Sequence, residues 1–222
     1  MRGQKILFWV MFALSIISGL AILCLHCMEK YSFIYSLFSG LFPGFFVGAI
    51  TALIPMILER RKAISSYLLE IRHIKYLHNE LCYAESDSKI IRICEEIDLH
   101  FDRAQREYAT LEWLFNRKTE FDELFAVLMG YVQHIYAVLI AKRDKDEQAF
   151  ELAKIDSMFL SNTEIEECVK LWIPLVKKYE SNEVFNSYIE ADKIQNSIHN
   201  ANKYRTIEEI EKEMRQNEKA KI

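Results

Sequence analysis

The sequence predicts an all-α chain: a two-helix transmembrane hairpin followed by a cytosolic helical bundle. Three observations lead there. The runs Ile6–Met28 and Phe33–Leu58 contain no Asp, Glu, Lys or Arg, and each can cross a ~30 Å hydrocarbon core at ~1.5 Å of rise per residue. Beyond Leu58 the apolar residues recur at helical rather than alternating spacing. The chain has 6 Gly and 3 Pro, and only Gly130 and Pro174 fall after Leu58. Tight sheet hairpins want Asn-Gly or Asp-Gly turns that this stretch does not contain.

The hairpin occupies residues 1–60, with spans at about 6–28 and 33–58. The first span is too long for a leader-peptide core and lacks a small-residue cleavage site, so it reads as retained. The link Glu29-Lys30-Tyr31-Ser32 is short. Phe8 and Trp9 mark one membrane edge, Tyr31 and Tyr35 the other. Pro43 and Pro55 are expected kink points; Pro55 removes the amide that would bond the carbonyl of Thr51. Basic residues flank the hairpin on one side: Arg2 and Lys5 before it, then Arg60, Arg61 and Lys62 after it. The positive-inside rule therefore puts both termini in the cytoplasm and the short loop outside.

Residues 61–222 form the cytosolic all-α part. The second span is expected to run straight into a helix over Arg61–Tyr83, with Ile64, Leu68, Ile71, Ile74 and Leu81 on one face. Glu85-Ser-Asp-Ser88 breaks it and offers caps. A helix over Lys89–Phe115 follows, with Ile90, Ile93, Ile97, Phe101, Ala104, Tyr108, Leu111 and Phe115 on one face. Thr119-x-x-Asp122 resembles a capping signal for Phe121–Ala141. That helix is apolar enough to suggest a short span, but Gln133, His134 and the acidic residues at its start favour a buried core helix. Lys142–Glu147 reads as a solvated break. Helices near Gln148–Leu160, Thr163–Tyr179 and Glu183–Asn200 complete the chain, with Ser161-Asn162 and Ser181-Asn182 as caps. Thr206-x-x-Glu209 caps a last polar helix expected to fray.

Composition excludes several function classes. A net charge of −4 does not suit a general nucleic-acid binder. The scarcity of glycine after Leu58 argues against P-loop and dinucleotide folds, which need Gly for close backbone approach to phosphates. Five scattered cysteines form no disulfide framework. Uncharged spans argue against a membrane-embedded protease, pump or carrier. No enzyme, cofactor or small-molecule substrate is expected.

Four groups are candidates for function. Small residues recur at every fourth position of the second span: Ser36, Gly40, Gly44, Gly48 and Ala52. Such a ladder lets a helix approach closely in lipid. It packs the hairpin against Ser15, Ser18 and Gly19, or drives self-association into a leaky homo-oligomer; the sequence leaves both open. Arg60, Arg61 and Lys62 suit anionic headgroups. Cys24-Leu-His-Cys27 has metal-like spacing, but at a helix C-terminal end it reads as apolar filler. His73, His78, Cys82, His100 and His134, with Glu96, supply ligand types; no ligand set is complete, so they read as ordinary histidines and no metal is expected.

The motif SGLFPGFFVGAITALIP closed by ERRK, behind a basic start and a first span, and ahead of a Gly-poor helical region, resembles the two-transmembrane effectors of bacterial anti-phage systems, most of all those of retrons. The resemblance implies a toxin-like membrane protein held inactive by a reverse transcriptase with its RNA–DNA hybrid. On infection it would be released to permeabilise the inner membrane, an abortive response. The alternative is a membrane-anchored helical scaffold that docks a protein partner.

Overall fold

The computed structural model describes residues 2–26, 32–111 and 119–190. Among them there is no strand, and the chain is all-α. Six named helices follow in order: α1 (Arg2–His26), α2 (Ser32–Leu81), α3 (Asp87–Thr110), α4 (Thr119–Asp144), α5 (Glu147–Ile155) and α6 (Asn162–Tyr179). A π-helical turn, Asp156–Leu160, joins α5 to α6, and a further helix, α7, covers 182–190. The chain divides into two compact units, Met1–Leu175 and Val176–Ile222. In the second unit the Ser181 hydroxyl accepts from the Val184 amide at 3.3 Å, the expected cap. The expected cap at Thr206 and the helix reaching Asn200 lie outside the described residues.

In the first unit α2 is the central element. It is one helix of 50 residues, with Pro43 and Pro55 inside it, and spans about 75 Å. Its first half is uncharged; its second half buries Ile64, Tyr67, Leu68, Ile71, Ile74 and Leu81. The expected continuity from the apolar segment into the bundle is therefore present. The turn after Leu81 ends at Ser86, whose side chain accepts from the Lys89 amide and caps α3.

Residue pairs fix the helix directions. Arg60, Ser66 and Glu70 of α2 meet Leu111, Glu107 and His100 in turn, so α3 runs back antiparallel. Tyr67 and His78 meet Phe121 and Tyr131, so α4 runs parallel to α2. The Trp172 indole of α6 donates to the Leu68 carbonyl at 2.8 Å. His78 meets Asn162 at the start of α6, which makes α6 antiparallel. Every one of these partners packs on α2.

Three helices, α1, α2 and α4, are long and apolar enough to cross a membrane by length and composition. They differ in how they are packed. In the most apolar window of α4, 39% of residues are buried, against 11% and 17% for α1 and α2. Phe121, Leu124, Leu128, Tyr131, Val132, Ile135 and Val138 form the inward stripe of α4. Its neighbour α3 carries Asp102, Arg103 and Arg106 on its exposed side. This matches a helix packed into a bundle core.

The expected break at Lys142–Glu147 is narrower than its charge suggests. Helix α4 runs through Lys142, Arg143 and Asp144. Lys145 then takes φ 58°, the Asp146 amide bonds the Ala141 carbonyl at 3.0 Å, and the Asp146 side chain caps α5 through the Ala149 amide. This is a left-handed helix stop of the kind glycine favours. Lys145→Gly relieves a Cβ clash in that conformation. It should stabilise the chain by roughly 1 kcal/mol, read as a higher thermal unfolding midpoint in detergent; an unchanged or lower midpoint would count against the assignment.

Candidate functional site

The apolar hairpin has a filled seam. Phe8, Ala49, Ala52 and Met56 form a buried cluster, with Met11 and Leu53 packed against it. Ser15 and Ser18 of α1 are also buried, and a Cβ on Gly19 would stand 3.3 Å from the Phe42 ring. Small residues on one helix receive large ones from the other, the arrangement that close packing between apolar helices requires. The hydroxyls of Ser18 and Thr51 bond back to the carbonyls of Leu14 and Val47 at 2.7 and 2.8 Å, which satisfies them without water.

The small-residue ladder does not keep to one face. A four-residue step turns a helix by about 400°, so each rung drifts about 40° and Ser36 lies about 160° from Ala52. Ala52 is buried in the seam. A Cβ on Gly48 would stand 3.0 Å from the Met11 methyl. Gly40 and Gly44 have nothing within 4 Å of such a Cβ, and Ser36 is exposed. The hairpin thus uses two rungs and leaves three outside its seam. Around it the outer surface is apolar, with Ile17, Leu20, Leu37, Phe46, Val47 and Ile54 all exposed. A contiguous patch of this kind demands a cover of lipid or protein.

The basic triplet also divides. The Arg60 guanidinium donates from Nε to the Leu111 carbonyl at 3.3 Å, at the C-terminal end of α3. A cation there meets the negative end of the helix dipole. Arg61 and Lys62 are exposed.

Sequence reasoning set His78 beside Cys82 as possible ligands, and the structure gives that pair another role. His78 is buried. Its Nε2 lies 2.8 Å from the Asn162 Oδ1 and its Nδ1 lies 3.2 Å from the Tyr131 hydroxyl. Asn162 Nδ2 donates to the Met158 carbonyl at 3.1 Å, which fixes the amide with Oδ1 toward the imidazole. Nε2 therefore carries the proton and donates, and Nδ1 accepts from Tyr131. The Cys82 thiol donates to the same Met158 carbonyl at 3.4 Å. Both ring nitrogens are committed, one to Tyr131 of α4 and one to Asn162 at the start of α6, and Met158 of the π-helical turn orients Asn162. This also corrects the capping expectation at Ser161-Asn162. Asn162 turns inward, and the buried Ser161 hydroxyl donates to the Ser157 carbonyl at 2.6 Å.

The remaining ligand-type residues regroup. His134 stands 3.6 Å from Glu164, and Glu96 pairs with Arg92. Cys24 is exposed, whereas Cys27 lies outside the described residues. Glu70 and His73 of α2 meet His100 of α3, a grouping that neither helix's own spacing indicates. One ligand atom from each lies within 4.8 Å of the others. His100 Nδ1 is 2.5 Å from Glu70 Oε2. The His73 and His100 rings meet edge to face, with centroids 4.8 Å apart. The Nδ1 of His73 is buried with no hydrogen-bond partner. Burial first, then the neighbouring His100, hold His73 below the usual histidine range.

Burial likewise lowers the pKa of His78, against the opposing hydrogen bond from Asn162. The folded chain therefore binds fewer protons at this site than the unfolded chain. The stability this provides is complete above the ordinary value of about 6.5 and is lost as pH falls from there through the lowered folded value. Each tenfold weakening of proton affinity on folding is worth about 1.4 kcal/mol. The thermal midpoint of the detergent-solubilised chain should drop between pH 7.5 and pH 5, by the sign of this linkage. His73 contributes in the same direction, so His78→Gln should flatten the slope without abolishing it. An unchanged slope in His78→Gln would contradict the buried neutral assignment. No family model, curated protein or solved structure matches the chain.

Proposed function

We propose that the chain is a membrane effector of anti-phage defence whose hairpin permeabilises the bacterial inner membrane. Helix α1 and the first half of α2 cross the bilayer, both termini are cytoplasmic, and the hairpin self-associates through the face that carries Gly40 and Gly44. The sequence resemblance supplies the restraint: a retron reverse transcriptase with its RNA–DNA hybrid docks on the cytosolic bundle and holds the effector inactive. Release of that partner leads to abortive infection. The chemistry asked of the chain is packing, not catalysis.

The observation that carries this reading is the open space at Gly40 and Gly44 on a hairpin whose own seam is filled elsewhere. A second helix can approach there, and Cα–H···O contacts with dispersion then replace the absent hydrophobic drive. The continuity of α2 supports a link to a partner. A group docked on the bundle acts on the same helix that carries the ladder. The second reading, an anchored scaffold, is favoured by the complete seam from Phe8 to Met56, which needs no second copy.

The two readings separate on dye entry and membrane potential in cells expressing the chain alone. A Cβ at Gly40 or Gly44 meets nothing within 4 Å, so Gly40→Leu,Gly44→Leu should leave the chain folded and inserted yet abolish the leak. Gly48→Leu must displace Met11 and should lower the stability of the hairpin itself, by roughly 1–3 kcal/mol for such overpacking. If the Gly40→Leu,Gly44→Leu variant leaks like the wild type at equal membrane levels, the oligomer face is elsewhere. If the wild type itself is harmless, the scaffold reading takes its place.

A further inference from the structure

We propose that Glu70, His73 and His100 form a binding site for a divalent d-block cation, with Zn²⁺ the best fit, that bridges α2 and α3. The donor set is two imidazoles and one carboxylate, which suits Zn²⁺ and leaves a fourth position for water. All three side chains are half-buried, shielded enough to hold an ion and open enough to admit one.

The geometry needs only small adjustment. Ligand atoms at ~2.1 Å from a tetrahedral Zn²⁺ stand ~3.4 Å from one another. Here the Glu70–His100 pair at 2.5 Å must open, and the outermost separation, within 4.8 Å, must close. Each change is about 1 Å, within the reach of side-chain torsions for atoms that must meet ~2.1 Å bonds. The buried Nδ1 of His73 is one of the polar atoms that the described contacts leave without a partner. A buried polar atom without a partner costs on the order of 1–3 kcal/mol, and a cation is a partner that removes this cost. The His100–Glu70 bond already holds the second imidazole next to the only carboxylate of the three. Two cations oppose the ion: Arg72 and Arg103 are close enough to act on His73. The Glu70 charge is therefore the essential attraction, not an accessory.

An ion here would clamp α2 to α3 about 18 Å beyond Leu58, the last residue of the uncharged run, at ~1.5 Å per residue. Metal binding to a preformed interhelical site stabilises the packed state by mass action. The role is structural or regulatory, and it is independent of the effector reading above.

The test uses the full, untagged chain in detergent, stripped with chelator, and titrated calorimetrically with Zn²⁺. One equivalent should bind and raise the thermal midpoint. His73→Gln, His100→Gln and Glu70→Gln should each weaken binding by at least about tenfold, while His134→Gln should not. Glu70→Gln keeps the shape and a hydrogen bond to His100, so it separates charge from packing. Should a histidine variant misfold, Co²⁺ on the wild type decides. Visible ligand-field bands without a thiolate charge-transfer band support the nitrogen–oxygen set. No saturable binding, binding insensitive to all three substitutions, or a thiolate band that assigns the metal to Cys82 or to Cys24 and Cys27 would overturn the proposal.

Discussion

The backbone of α2 is the constraint on which the rest depends. Over Phe33–Leu58 it has no charged side chain, and in an apolar environment the amides and carbonyls of such a stretch must be satisfied within the helix, the carbonyls opposite Pro43 and Pro55 excepted. Over the following turns the same helix supplies Ile64, Tyr67, Leu68, Ile71 and Ile74 to the bundle core. Because Ser32–Leu81 is one helix, the two environments share one rotation angle. A turn of the bundle face about the helix axis must turn the ladder face too, or be absorbed at Pro55, where the Thr51 carbonyl has no amide to bond.

Apolar packing alone would leave the axial register of α2 loosely set, since hydrophobic contact is not directional. The polar contacts supply direction. Arg60 reaches the Leu111 carbonyl at one end of α3, Glu70 meets His100 midway, and His78 joins Tyr131 and Asn162 near the end of α2. Slipping α2 by one turn, ~5.4 Å, would break all three and strand buried polar atoms. The His78 group is the strictest, because Met158 orients Asn162 and Asn162 in turn selects the tautomer that Tyr131 can serve. Such a fully satisfied network specifies one packing, whereas a partly satisfied one is a liability. The His73 Nδ1 and the Tyr67 hydroxyl are among the places on α2 where the same logic is unfinished.

What the sequence made legible was what depends on local pattern. The uncharged runs, the inward stripes of Ile90, Ile93, Ile97 and Phe101, the cap at Ser86 and the continuity of α2 all follow from periodicity and short-range chemistry. The reading of α4 as a core helix rested on Gln133, His134 and its acidic start, and the buried stripe from Phe121 to Val138 agrees. What it hid depends on register between helices. Glu70 and His73 are three apart on α2, but nothing in the chain says that His100, on another helix, stops opposite them. Ser161-Asn162 looked like a cap because capping is the commonest local use of those residues. Here Asn162 goes to His78 instead, and the Ser161 hydroxyl to the Ser157 carbonyl. Lys145 at positive φ was illegible for a similar reason: the left-handed stop is usually announced by glycine.

The ladder shows the same limit inside one helix. Fourth-position spacing looks like a face only over a turn or two, and over four steps the drift carries Ser36 about 160° from Ala52. The seam with α1 needs smallness at Gly48 and Ala52, where Met11 and Phe8 come in. It does not need it at Gly40 or Gly44, where a Cβ would have nothing within 4 Å. Glycine inside a helix costs about 1 kcal/mol relative to alanine, so a solitary hairpin would be more stable with alanine at both positions. That cost is recovered only if something approaches the backbone there more closely than a methyl group allows. A lipid chain gains nothing from such closeness, because it fits an alanine surface equally well. Another helix does gain, since its backbone can then come within Cα–H···O distance. Hence the unfilled half of the ladder, rather than the half that packs α1, is where a second helix would gain from close approach, as the proposed self-association requires.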